Sequence, residues 1–170
     1  MAALRQVGRE GELTISAVSS AAGVTRATFY NHFESLQEAA WFAMSDSYDQ
    51  LLAQDVAARH EGGDPDRVGI ESLRKIVEML RADRELVRLA DTYEVYSVLP
   101  GLADLHLSAQ RRFRANFGPP EPVEPGAEDI YIAAGLYALL ATGARGTEDA
   151  EHFASVAYSI LPDWMRNPHR

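Results

Sequence analysis

Three observations predict an all-α fold. Alternating β-branched runs are absent, most apolar residues recur at spacings of three and four, and several segments open on helix-capping residues. The 170 residues are 46% hydrophobic and 24% charged, which suits one good-sized core or a small module joined to a larger one. Glycine and proline punctuate the chain at Gly23, His60 to Pro65, Pro100-Gly101, the proline-rich stretch from Gly118 to Gly126, and Gly146.

The elements follow in order. The segment before Leu13 is short for a complete helix, and Gly8 and Gly11 interrupt it. Thr14 can cap a helix with Ile15, Val18, Ser19 and Ala22 on one face, and Gly23 supplies the left-handed residue that ends it. Thr25 caps the next helix, with Val24 and Phe29 at hydrophobic-staple positions. Phe29 and Phe33, four apart, bury that helix against the first. Ser35-Leu36-Gln37-Glu38 is a capping box opening a helix to about Arg59. Asp64-Pro65 starts another. Ile130 to Ala144 is uncharged over about fifteen residues, short of the roughly 18 a bilayer span needs, so a buried helix is expected there. Acids at Glu148, Asp149 and Glu151 follow Thr147 and suit a helix start, and Pro162 ends that helix near Ile160.

Several kinds of chemistry find no support. Without cysteine there is no disulfide framework, thiolate zinc site or thiol nucleophile. The five histidines are scattered without ligand spacing, and neither a metal nor a cofactor is expected. Gly-rich phosphate loops, Gly-x-Ser-x-Gly and His-Glu-x-x-His are lacking. The pairs Glu128/Asp129 and Asp149/Glu151 fall in first helical turns, where acids stabilise the helix dipole. In residues 1–35, Arg5, Arg9 and Arg26 balance Glu10, Glu12 and Glu34, so the net charge of −9 lies wholly in the remainder. Charge alone does not point to nucleic acid.

The helix after Gly23 carries the informative pattern. Ala27, Thr28, Tyr30 and Asn31 point away from the Phe29/Phe33 face, with Arg26 at the edge. Arginine and asparagine can pair with guanine and adenine edges, while Thr, Tyr and His suit phosphate oxygens. An ordinary capped α-hairpin would share the same spacing. The segment Leu13 to Phe33, above all Ala22-Gly23-Val24-Thr25-Arg26-Ala27-Thr28-Phe29-Tyr30-Asn31-His32-Phe33, resembles the recognition unit of the TetR family of transcriptional regulators. In that family an Ala-Gly-Val-Ser/Thr turn precedes a Thr-Leu/Phe-Tyr-x-His-Phe ending. The resemblance covers about the first 55 residues by motif and the rest by helix count and lengths alone.

The resemblance implies an N-terminal helix-turn-helix, three-helix DNA-binding head (1–40) and a helical effector-binding and dimerisation body (41–170). It implies phosphate contacts from Thr25, Thr28, Tyr30 and His32, base-edge contacts from Arg26, Ala27 and Asn31, and Thr14 on the same DNA-binding surface. Two positions depart from the pattern. Leu36 stands where many relatives have a phosphate-gripping lysine, and Ser16 where arginine is common. The final two helices would form a four-helix bundle across a two-fold axis, with Tyr137, Leu140, Phe153, Val156, Ala157 and Ile160 as interface candidates. An effector pocket would draw on Met79, Tyr93, Tyr96, Leu102, His106, Phe113 and Tyr131, although aromatics at helical spacing equally suit a plain core.

The expected function is a cytoplasmic homodimeric regulator, a repressor released from a palindromic double-stranded DNA operator by an unidentified small-molecule effector, with no membrane partner. Two alternatives stay open. One is a protein-binding module that keeps the helix-turn-helix as scaffold. The other is a small enzyme using His106 with Asp91 or Glu94.

Overall fold

The computed structural model describes residues 1–93, 98–119 and 125–166, and among them every regular element is a helix. In chain order these are α1 (Ala2–Glu10), α2 (Ile15–Ala21), α3 (Arg26–Tyr30), α4 (Leu36–His60) and α5 (Pro65–Ala82). They continue with α6 (Arg84–Ala90), α7 (Gly101–Phe117), α8 (Ala127–Arg145), α9 (Ala150–Ser159) and α10 (Asp163–Arg166). None of the described helices is long and apolar enough to cross a membrane.

The predicted caps are made. Thr14 Oγ1 accepts from the Ala17 N–H and Thr25 Oγ1 from the Thr28 N–H, both at 3.1 Å. Ser35 Oγ accepts from the Glu38 N–H at 3.0 Å, while the Glu38 carboxylate reaches the N–H of Glu34, one residue before the usual capping-box partner. Asp64 Oδ1 accepts from the Arg67 N–H at 2.9 Å, with Pro65 in the first turn of α5. The helix expected from Thr147 starts later. Residues 146–148 are used turning out of α8, and Asp149 becomes the cap of α9, accepting from Glu151 N–H at 3.1 Å.

Two further features depart from expectation. α1 runs unbroken through Gly8, because its amphipathic face buries Leu4 and packs Val7 on the main core. Tertiary packing of that face outweighs the roughly 1 kcal/mol that a mid-helix glycine costs. The break between α5 and α6 falls at Asp83, where no glycine or proline announces it. The Asp83 carboxylate is buried and accepts from Arg9 Nε at 2.7 Å, with Arg5 Nε 3.4 Å away. Arg5 also donates to the Ala43 carbonyl at 2.7 Å. Two arginines of α1 thus fasten it both to α4 and to the α5–α6 junction.

One contiguous core runs from Leu4 to Met165, built around α4. Ala39, Ala40, Ala43, Met44 and Tyr48 are buried along one face of that helix. α4 lies along α6, α5 along α9 and α7 along α8, and α4 also meets α5 and α7. A small satellite cluster of Leu99, Ala103, Leu107 and Ala133 joins α7 to α8. The unanticipated α10 buries Met165 and sets the Trp164 ring 4.4 Å under the Arg114 guanidinium.

The approach of α9 to α5 depends on Gly69, where an added Cβ would overlap the Tyr158 ring. Gly135 in α8 has no atom within 4 Å of an added Cβ. Gly69→Ala is expected to lower stability by about 1–3 kcal/mol, as overpacking does. Gly135→Ala should raise it by about 0.5–1 kcal/mol through helix propensity. Urea unfolding of the two variants checks the pair, and a Gly69→Ala protein as stable as the parent would contradict this packing.

Candidate functional site

The turn between α2 and α3 is built by hydrogen bonds at both ends. Gly23 adopts φ +67°, the Gly23 N–H donates to Ser20 O at 3.1 Å, and the Val24 N–H donates to Ser19 O at 2.9 Å. That is a complete Schellman closure, which needs a left-handed residue where Gly23 stands. On the far side, Phe29 is buried among Leu4 and Val18, and its ring lies 5.5 Å from Phe33. The aromatic pair fixes how α3 rolls.

What that roll leaves outside matches the face read from sequence. Thr14, Thr25, Arg26, Ala27, Tyr30, Asn31 and His32 are exposed, and Thr28 is half-buried with its hydroxyl 3.0 Å from that of Thr25. Arg26 forms no ion pair with any described residue. α3 is shorter than its apolar spacing suggests. Asn31 is its C-cap, donating to Ala27 O at 3.0 Å, and Asn31 and His32 lie in the turn that leads to the Ser35 cap. Of the departures noted above, Leu36 packs half-buried on the core and Ser16 is exposed.

A second feature lies inside the body. α4, α5, α7, α8 and α9, with Leu161 and Met165, line a partly open cavity of about 100 Å³. Its wall is mainly apolar, with a few polar groups set into it. Tyr48 Oη and His106 Nε2 are 2.8 Å apart and both residues are buried. Arg59 Nε donates to Asp55 Oδ1 at 2.6 Å, and the Ser72 hydroxyl donates to Asp55 Oδ2 at 2.7 Å. Gln110 Nε2 reaches Asp129 Oδ1 at 2.7 Å, beside the Arg114–Asp129 ion pair. Burial pushes the His106 imidazole down to about 3 and the Tyr48 phenol well above its ordinary range. The Tyr158 phenol is pushed up to about 12 by burial and by its hydrogen bond to Asp66.

Of the seven residues named for a pocket, the cavity brings together His106 and Phe113. Leu102 is packed in the main core, Met79 is half-buried against it, and Tyr93 stacks near Trp41 at 6.0 Å. Tyr131 is 79% exposed on the outer face of α8, the opposite of a lining position. Tyr96 lies outside the described residues, as does Glu94. Asp91 accepts the Tyr137 hydroxyl rather than pairing with His106, although the Tyr137 and His106 rings are 5.5 Å apart.

The interface candidates divide by burial. Leu140 and Ala157 are fully enclosed by the chain's own core, so a second copy could not touch them. Tyr137 and Phe153 are half-buried. Val156 and Ile160 are exposed, the latter at 66%. α8 also leaves Tyr131, Gly135, Ala138 and Thr142 exposed at spacings of three and four, which is a single helix face.

Sequence reasoning missed the polar cavity residues Tyr48, Asp55, Arg59, Ser72, Gln110 and Tyr158. The signal was present on α4, where Tyr48, Leu52, Asp55 and Arg59 fall at i, i+4, i+7 and i+11. An acid and a base four apart on a stripe that otherwise packs inward mark a buried ion pair. No group of three or more potential metal-ligating side chains occurs among the described residues. No protein-family model, curated protein or solved structure matches the chain.

His106 sets a testable pH response. Its folded value near 3 lies below the ordinary 6.5, so below 6.5 the unfolded chain takes up a proton that the folded chain refuses. The stability concerned is complete above 6.5 and is lost progressively as pH falls toward 3. Between pH 6 and 4, His106→Gln should flatten the loss by up to about 1.4 kcal/mol per pH unit. Equal slopes for variant and parent in urea unfolding at several pH values would mean that His106 titrates normally.

Proposed function

We propose that the chain is a sequence-specific DNA-binding regulator of TetR type, with residues 1–40 as the reading head and the remainder as a helical effector-binding and dimerisation body. The observation that carries the reading is the α2–α3 unit. A doubly capped turn and a two-aromatic anchor hold Arg26, Ala27, Tyr30, Asn31 and His32 at the surface. Small Ala27 permits close approach to a groove, Arg26 and Asn31 have the geometry for bidentate base-edge bonds, and Thr25, Tyr30 and His32 suit phosphates.

The link from body to head runs through α4. Its N-terminal turns receive Arg5 of α1 at Ala43, while its C-terminal half carries Tyr48, Asp55 and Arg59 into the cavity. A ligand that disturbs the Tyr48–His106 or Asp55–Ser72 bond changes what holds α4 to α7 and α5. Movement of α4 would then alter the separation of two recognition elements on successive major grooves and release the operator.

Selection from a random duplex pool tests this directly. A palindrome should emerge, and log affinity should fall linearly with log salt. Asn31→Ala should relax preference at one position per half-site, worth about 1–3 kcal/mol, whereas Tyr30→Phe should weaken every sequence alike. A pool with no enriched sequence ends the DNA reading.

Self-association is expected through the exposed faces of α8 and α9. Tyr131, Val156 and Ile160 would be covered there, and Ala138 would allow close helix approach. Ile160→Asp should convert a dimer to monomer in sedimentation analysis, with a cooperative circular-dichroism melt that is lower than the parent's and independent of protein concentration. A parent protein that sediments as a monomer at micromolar concentration would count against the dimer.

A further inference from the structure

Arg59 lines the cavity at 4% exposure, and its guanidinium is only partly bonded. Nε donates to Asp55, the group lies 5.1 Å from the Phe113 ring centroid, and Nη1 is buried with no acceptor among the described residues. Arginine cannot shed its proton, so this donor stays charged and demanding at any working pH. A buried donor without an acceptor is costly, and a ligand oxygen placed against it would recover that cost.

The charge around the cavity decides which oxygen fits. Asp55 already cancels Arg59, and its two carboxylate oxygens are taken by Arg59 and Ser72. His106 is neutral at physiological pH, and Tyr48, Ser72, Gln110 and Tyr158 carry no charge there. A carboxylate would therefore bring an uncompensated charge into a mainly apolar recess walled by Leu51, Leu73, Ile76 and Leu136. A carbonyl oxygen takes the same hydrogen bond and adds no charge. Size narrows the choice further. A cavity near 150 Å³ holds benzene, which has six heavy atoms, so about 100 Å³ suits roughly four.

We propose that this cavity binds a small uncharged carbonyl compound, a ketone or ester of about four heavy atoms, whose oxygen accepts a hydrogen bond from Arg59 Nη1. The inference deepens the regulatory reading by naming its effector class, and it rests on that reading only for the consequence of binding. Tyr48, Asp55 and Arg59 all come from α4, so an occupant would touch the helix that joins the two parts of the chain.

The test is an amide-resonance NMR titration of the ¹⁵N-labelled full chain at pH 7, without DNA, using three probes of similar size. Acetone should give saturable shifts in α4, α5 and α7, with a Kd at least about tenfold below that of its isostere isobutene, the effect of one charge-assisted hydrogen bond. Acetate should bind more weakly than the ketone. Ala109→Leu, which adds bulk on the cavity wall without touching the polar groups, should abolish the ketone response in a protein that still folds. Equal Kd values for ketone and hydrocarbon, tighter binding of acetate, or no saturable shift from any probe would overturn the proposal. So would an Ala109→Leu protein that binds the ketone as the parent does. Because no DNA is present, a failed titration beside a selected palindrome removes the ligand class alone. Ketone binding beside a failed selection removes the regulator alone.

Discussion

The burial of one face of α4 is the constraint on which the other elements depend. From Ala39 through Ala43, Met44 and Tyr48 to Asp55 and Arg59, that face is closed to solvent over nearly the whole helix. α6 lies along it, and polar residues at its end need partners supplied by α5 and α7. Rotating α4 by one residue, about 100°, would at once turn the alanines out of the core and pull the ion pair from Ser72. Close-packed interiors do not deform gradually, so such a helix has few allowed positions. Rigidity at one end is therefore bound to rigidity at the other.

Local signals were read from sequence more successfully than long-range ones. Thr14, Thr25, Ser35 and Asp64 cap as expected because a cap is settled within four residues of chain. The exposed face of α3 was legible for the same reason, since Phe29 and Phe33 alone determine its roll. The Asp83 break was not legible, because what stabilises it is a pair of arginines more than seventy residues earlier. The cavity was not legible either. Its polar groups meet from α4, α5, α7 and α9, and no spacing within one helix reveals that Ser72 faces Asp55. Tyr131 and Leu140 show the same limit in α8, where a uniformly apolar stretch gives no period from which to tell inside from outside.

The two candidate sites differ in chemistry as well as place. The α3 face is open, polar and loosely populated with charge, and residues 1–35 carry no net charge. The cavity is recessed and mainly apolar, with every charge on its wall matched. The first is suited to a partner that supplies its own strong field, as a phosphate backbone does. The second is suited to a guest chosen by shape and a single hydrogen bond.

The fastening of α1 has a consequence of its own. Asp83 is sealed from solvent, but Arg9 is more than half exposed, so mobile ions reach one side of that link. Rising ionic strength would then act twice: on whatever grips the outer face of α3, and on the hinge pin that sets where α3 stands. A salt dependence measured on this protein would report attachment and posture together. Drift at position 83 could retune the molecule without altering a residue at either site.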